Sequence, residues 1–151
     1  MRLAVLALVL CGCGAAPMPP GPVDAGCGEA RLEMGSDAPD GGFVAITDGQ
    51  DLSIVMGPQG GFHLFVSVQA FGLPRTGTLA WTLRSTGGEL LGTRSLDLEY
   101  AFLDELECGW ERRQDALVFI DPTTVDQQRG RPAQLALELG ELTRSATVVP
   151  R

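Results

Sequence analysis

The feature that most constrains this chain is a strict alternation of apolar and polar side chains in short runs. Leu52, Ile54 and Met56 interleave with Asp51, Ser53 and Val55. Leu64, Val66, Val68 and Ala70 interleave with His63, Phe65, Ser67 and Gln69. Leu79, Trp81 and Leu83 do the same with Thr78, Ala80, Thr82 and Arg84, and Leu135, Leu137 and Leu139 continue the pattern. Successive side chains of a strand point to opposite faces, so a period of two buries one face and wets the other. Residues 116–120 are a continuous apolar run, as a more deeply buried strand requires. Residues 144–149 read as a last strand, with Thr143 and Thr147 favouring extended backbone. Residues 31–34 and 43–46 are shorter strand candidates.

The breaks between these runs carry turn chemistry. Asp40-Gly41-Gly42, Asp48-Gly49, Gly57-Pro58, Gly60-Gly61 and Gly87-Gly88 supply positive φ or preset turns. Gly87-Gly88 predicts a hairpin, and Gly140-Glu141-Leu142-Thr143 predicts another joining the last two strands. Leu98, Phe102, Leu103 and Leu106 would share one face of a helix over 98–107. The alternation of Leu96, Leu98, Tyr100 and Phe102 with Asp97, Glu99 and Ala101 favours a strand there instead. The expected fold is therefore all-β: an antiparallel immunoglobulin-like β-sandwich of about 7–9 strands. The order Cys27, Trp81, Cys108 lacks the cysteine–tryptophan spacing of a true immunoglobulin domain, so only the sandwich class is retained.

With 151 residues, 44% of them hydrophobic and 20% charged, the chain suits one globular domain. A net charge of -8 argues against nucleic acid and against a basic patch docked on anionic lipid. All 11 cations are arginines, and neither Lys nor Asn occurs, as a GC-rich genome would produce.

The first residues read as an export signal. Arg2 is a short positive region, and residues 3–10 are an unbroken apolar run far too short for a bilayer span, which takes about 20 residues. Leu10-Cys11-Gly12-Cys13 resembles the lipobox of bacterial lipoprotein signal peptides. The resemblance implies cleavage before Cys13, acylation of Cys13, and a membrane anchor made stable by more than one acyl chain. Gly14 stands where that family uses Asp for inner-membrane retention, which leans toward the outer membrane. Pro17, Pro19, Pro20 and Pro22 then make residues 13–26 an extended or disordered tether, of which the twelve residues 15–26 would reach roughly 35 Å as polyproline II. The expected organisation is a signal peptide over 1–12, a lipidated tether over 13–26 and a β domain over 27–151. Two cysteines remain in the mature domain, Cys27 and Cys108, and export to an oxidising compartment predicts that they pair.

Gly57-Pro58-Gln59-Gly60-Gly61-Phe62-His63 is the most distinctive segment. It resembles a run that opens a strand in small predicted lipoproteins of unknown function from GC-rich Gram-negative bacteria. Gln59 and His63 are candidate ligand-binding residues there, set against a turn-stabilising role; a lone His makes neither a zinc site nor a triad. Asp37, Asp40, Asp48 and Asp51 flank one short strand and are the candidates for a Ca²⁺ loop, set against aspartate's ordinary turn role. Trp81 belongs to an alternating strand and is expected in the core. Trp110, near Cys108, is the candidate exposed aromatic, with packing on a disulfide as the alternative. Asp104, Glu105, Glu107 and Glu111, followed by Arg112 and Arg113, are expected to form a solvated loop, and residues 126–131 another polar one. No phosphate-binding loop, dinucleotide fingerprint or Gly-x-Ser-x-Gly motif occurs.

These readings converge on a lipid-anchored, non-enzymatic protein of the cell envelope. The expected partners are the membrane, through lipid on Cys13, and an envelope protein or polymer; no nucleic acid and no cofactor are expected. The alternatives are a Ca²⁺- or carbohydrate-binding module and a small periplasmic hydrolase.

Overall fold

The computed structural model describes residues 28–58, 60–119 and 121–151. The lipobox, the tether, Cys27 and Gln59 lie outside them. The described chain is dominated by strands: β1 (Arg31–Asp37), β2 (Phe43–Ala45), β3 (Gln50–Leu52), β4 (Ile54–Met56), β5 (Phe62–Phe71), β6 (Thr78–Ser85), β7 (Leu90–Asp97), β8 (Asp104–Leu106), β9 (Gly109–Phe119), β10 (Ala133–Leu139) and β11 (Leu142–Pro150). The one α-helix among the described residues is the single turn α1 (Val125–Gln128).

The strands form one curled sheet in the order β2-β1-β5-β9-β7-β6-β10-β11-β3, with β4 on β5 and β8 on β9. The sheet is mixed, not purely antiparallel as the alternation suggests: β3 runs parallel to β11, pairing Val148 with Gln50 and Pro150 with Leu52. The curl closes through residues 50–56. Their first half pairs with β11 and their second half pairs with β5, Ile54 opposite Leu64 and Met56 opposite Phe62. Two backbone bonds tie the last residue into the turn between the halves: Arg151 N–H to the Leu52 carbonyl at 2.8 Å, and Ile54 N–H to the Arg151 carbonyl at 2.7 Å.

The alternation does what period-two patterning requires. Leu64, Val66, Val68 and Ala70 are fully buried, as are Leu79, Trp81 and Leu83, and Leu135 and Leu137. Trp110, Leu117, Val148 and Leu32 complete the same core. Both glycine hairpins form: Gly88, at φ 87°, donates to the Ser85 carbonyl between β6 and β7, and Gly140, at φ 59°, joins β10 to β11.

Residues 96–102 depart from expectation. The strand stops at Asp97, and Leu98–Tyr100 is a 3-10 turn. Asp97 caps the turn by accepting from the Glu99 N–H, and Leu98, 2% exposed, anchors it in the core. The alternation persists to Phe102, but no strand lies alongside to pair with it. The helix considered for 98–107 is likewise absent, since β8 pairs with β9 as a hairpin, Asp104 opposite Glu111.

Two glycines mark where backbones approach closely. A Cβ on Gly109 would lie 1.9 Å from the Ala70 carbonyl oxygen, and one on Gly92 3.0 Å from that of Val118. Gly109→Ala must therefore force β9 away from β5. It should cost about 3 kcal/mol, the upper end for overpacking, read as a lowered urea midpoint.

Candidate functional site

The densest polar cluster among the described residues is built on a kink in β9. Val66 pairs with Asp115 and Val68 with Arg112, so Arg113 and Gln114 together face Ser67. Two residues opposite one make a β-bulge, a device that re-aims side chains. Gln114 occupies the left-handed region at φ 54°, the one non-glycine with positive φ among the described residues. An L-residue pays roughly 1–2 kcal/mol for that conformation, so its surroundings must hold it. They do so through hydrogen bonds. Gln114 N–H donates to Ser67 Oγ at 3.2 Å, and Ser67 Oγ donates to Asp37 Oδ1 at 2.7 Å. Ser67 is fully buried, although its place in the alternation puts it on the outer face.

Beside this relay lies Glu111, only 1% exposed. Its Oε1 accepts from Gln69 Nε2 at 3.2 Å, and its Oε2 pairs with Arg113 at 2.8 Å. Arg113 also donates to the Gly41 carbonyl in the β1–β2 turn. The Glu111 carboxylate, first by hydrogen bonding and then by charge, raises the Arg113 pKa above its ordinary value, so its cation is held all the more firmly. On the opposite face of β9, Asp115 is buried and pairs with Arg112 at 3.0 Å, leaving its Oδ2 unpartnered. The expected solvated loop around 104–113 is thus corrected in part: Asp104, Glu105 and Glu107 are exposed, but β9 begins at Gly109 and its pairing with β5 buries Glu111.

The other candidate residues do not converge. Asp37 serves Ser67, Asp40 accepts from Gly42 N–H at 3.1 Å, Asp48 accepts from Thr147 N–H at 2.7 Å, and Asp51 pairs with Arg151 at 2.9 Å. Each holds a different joint of the fold. Among the described residues no group of three or more His, Cys, Asp or Glu is arranged to hold a metal ion. His63 lies half-buried in a cross-strand row with Val55 and Val118. Its ring stacks on Phe65 at 6.4 Å between centroids and covers Gly57, where a Cβ would come within 2.3 Å of Cε1. Ser67 is four residues further along β5, roughly 13 Å away at strand spacing, so a serine–histidine pair does not form. Trp110 is not an exposed aromatic: it is 1% exposed on β9, and its Nε1 donates to the Leu73 carbonyl at 3.3 Å. Trp81 is in the core as expected.

The sequence singles out none of Ser67, Gln69 and Gln114, and places Arg113 only in a solvated loop. A bulge adds a residue without a composition signal, and Ser67 and Gln69 fall on the face that alternation assigns to water. No protein-family model, curated protein or solved structure matches the chain.

Chemically, the cluster is a lock. Both oxygens of Glu111 accept from protein donors, and the Ser67 proton is directed to a carboxylate. Removing Arg113 leaves a buried carboxylate short of its counter-charge, which typically costs 3–5 kcal/mol. Arg113→Ala should accordingly lower the urea midpoint more than Glu111→Gln does, although the exposed Arg113 side chain is partly screened by water. Equal losses in chemical denaturation would show that the charge pair does not matter.

Proposed function

We propose that this chain is a lipid-tethered, non-enzymatic protein of the cell envelope whose β domain binds a protein or polymer partner. One observation carries the non-enzymatic reading: the side chains with chemical potential are engaged in holding the fold. His63 stacks on Phe65, and each of the four aspartates stabilises a separate joint. The tether rests on Leu10-Cys11-Gly12-Cys13 and the prolines after it, with the outer membrane favoured by Gly14.

The curled sheet is read as an immunoglobulin-like sandwich. In support, β5 pairs with β9, while β6, β10 and β11 are consecutive neighbours. Among the described residues two pairs, Gly92–Phe119 and Thr93–Val118, join β7 to β9. A seam so narrow lets two layers fold over one core.

A Cys27–Cys108 disulfide is part of the same proposal. Gly72 N–H donates to the Cys108 carbonyl at 2.9 Å, and a Cβ on Gly72 would lie 3.7 Å from the Gly28 carbonyl oxygen. The immediate neighbours of both cysteines therefore meet at one glycine. Closing a loop of about 80 residues would contribute up to roughly 4.5 kcal/mol in the chain-entropy account.

Intact mass of protein expressed with its own signal peptide tests both features. The expected mass is that of residues 13–151 plus acyl chains, gaining two hydrogens on reduction. A mass without lipid overturns the tether, and no gain on reduction overturns the disulfide. His63→Ala should lower stability by no more than the lost Phe65 stacking, about 1 kcal/mol, and leave the cellular phenotype intact; loss of an activity from a well-folded variant would point to the hydrolase alternative. Millimolar Ca²⁺ should leave the melting temperature unchanged, since a ligand that binds the native state must raise it.

A further inference from the structure

The 3-10 turn after β7 displays two aromatic side chains to solvent. Tyr100 is 85% and Phe102 is 88% exposed, the two highest values among the exposed large hydrophobic side chains described. Their backbone is not loose. Asp97 caps the turn, Leu98 is buried beneath it, Leu98 N–H donates to the Gly77 carbonyl at 2.9 Å, and Arg112 Nη1 donates to the Phe102 carbonyl at 3.1 Å. Two large apolar groups on a braced turn are costly to leave in water and pre-organised to enter another phase.

The position of this turn identifies the phase. The start of β1, the end of β5 and the start of β9 lie together, Arg31 opposite Phe71 and Phe71 opposite Gly109. Gly28 and Ala30 lie against Gly72, which bonds Cys108. The β8–β9 hairpin joins Cys108 to the segment carrying Phe102, and Arg75, just past Gly72, pairs with Glu105 at 3.5 Å. The chain therefore enters the domain at the end that displays Tyr100 and Phe102. Before that entry come 27 residues that include Cys13. Even fully extended as polyproline II, 14 residues from 13 to 26 could span no more than about 43 Å, so a lipid on Cys13 would keep this end within reach of the bilayer. Tethering raises the local concentration to the millimolar range, and weak contacts then suffice to dock.

Charge narrows the surface further. Residues 97–107 contain five acids, Asp97, Glu99, Asp104, Glu105 and Glu107, all exposed, and no base. An anionic bilayer would repel them; a zwitterionic one would not, and aromatic side chains favour its headgroup layer.

We propose that the 97–107 segment is a membrane-docking loop, with Tyr100 and Phe102 seated among zwitterionic lipid headgroups and the acids selecting against anionic lipid. The proposal rests on the lipid-tether reading above.

The test uses the lipidated full-length protein carrying Phe102→Trp, reconstituted in phosphatidylcholine vesicles with and without brominated acyl chains. Trp81 and Trp110 are 0% and 1% exposed, so the wild-type protein supplies a background shielded from lipid. The emission that Phe102→Trp adds over the wild-type background should fall by about two-fold in brominated vesicles, as for an indole at the headgroup level, while the wild type is unchanged. The fall should shrink when roughly one third of the lipid is phosphatidylglycerol. Variant protein that floats with the vesicles yet shows no quenching overturns the docking and leaves the tether standing; the loop would then face a protein partner. A quench that deepens with phosphatidylglycerol overturns the charge selection. Protein that does not float at all overturns the tether, and the docking with it.

Discussion

Strands β5 and β9 run side by side from Phe71 opposite Gly109 to His63 opposite Val118, and most of the molecule is arranged around that contact. At one end the backbones come so close that only glycine fits at position 109. In the middle, two residues of β9 face one of β5; Glu111 pairs with Gln69 just before this bulge, and Asp115 pairs back across it with Arg112. At the far end, β4 adds to β5 and closes the sheet's curl. Inward, the same pair delivers Leu64, Val66, Val68, Ala70, Trp110 and Leu117 to the core. Each of these features depends on register, because a slip of one residue would exchange the buried and exposed faces.

The polar cluster on that contact explains how a strained backbone is kept. Gln114 sits in a conformation that is costly for a side chain of its kind, and the hydroxyl of a fully buried serine holds its N–H. The serine is held by Asp37 from β1, and Arg113 reaches across to the turn after it. Three strands are thus joined by side chains as well as by their ladders. Burying an acid such as Glu111 is worthwhile only when its partners are placed as they are here.

The most exposed apolar side chains lie away from that lock. The carboxylates and the histidine that could have supported chemistry are distributed among turns, caps and ion pairs. The apolar side chains left at the surface include Met56, 66% exposed, a patch of Val55, Phe65 and Val118 around His63, each about two-fifths exposed, and the aromatic pair on the loop after β7.

Much of this architecture was legible in the residues themselves. The period-two runs around Val66, Trp81 and Leu137 encode strands with one buried face, and the glycine pairs at 87–88 and at 140 encode hairpins, because both signals are local. The same locality explains the misreadings. Alternation continues through Tyr100 and Phe102, yet a strand needs a neighbour, and none is there to bond them. Glu111 and Trp110 look exposed in a charged, cysteine-containing stretch, but pairing with Gln69 and Ala70 draws them in. The parallel seating of β3 on β11 and the bulge at Gln114 arise between segments about 100 and 47 residues apart. The sequence by itself determined which residues would be strands and which faces would be buried, since those follow from side-chain period. Only the tertiary structure decided which strands would meet, and with them which acids would be buried and which aromatics left in water, because long-range pairing leaves no periodic trace in the chain.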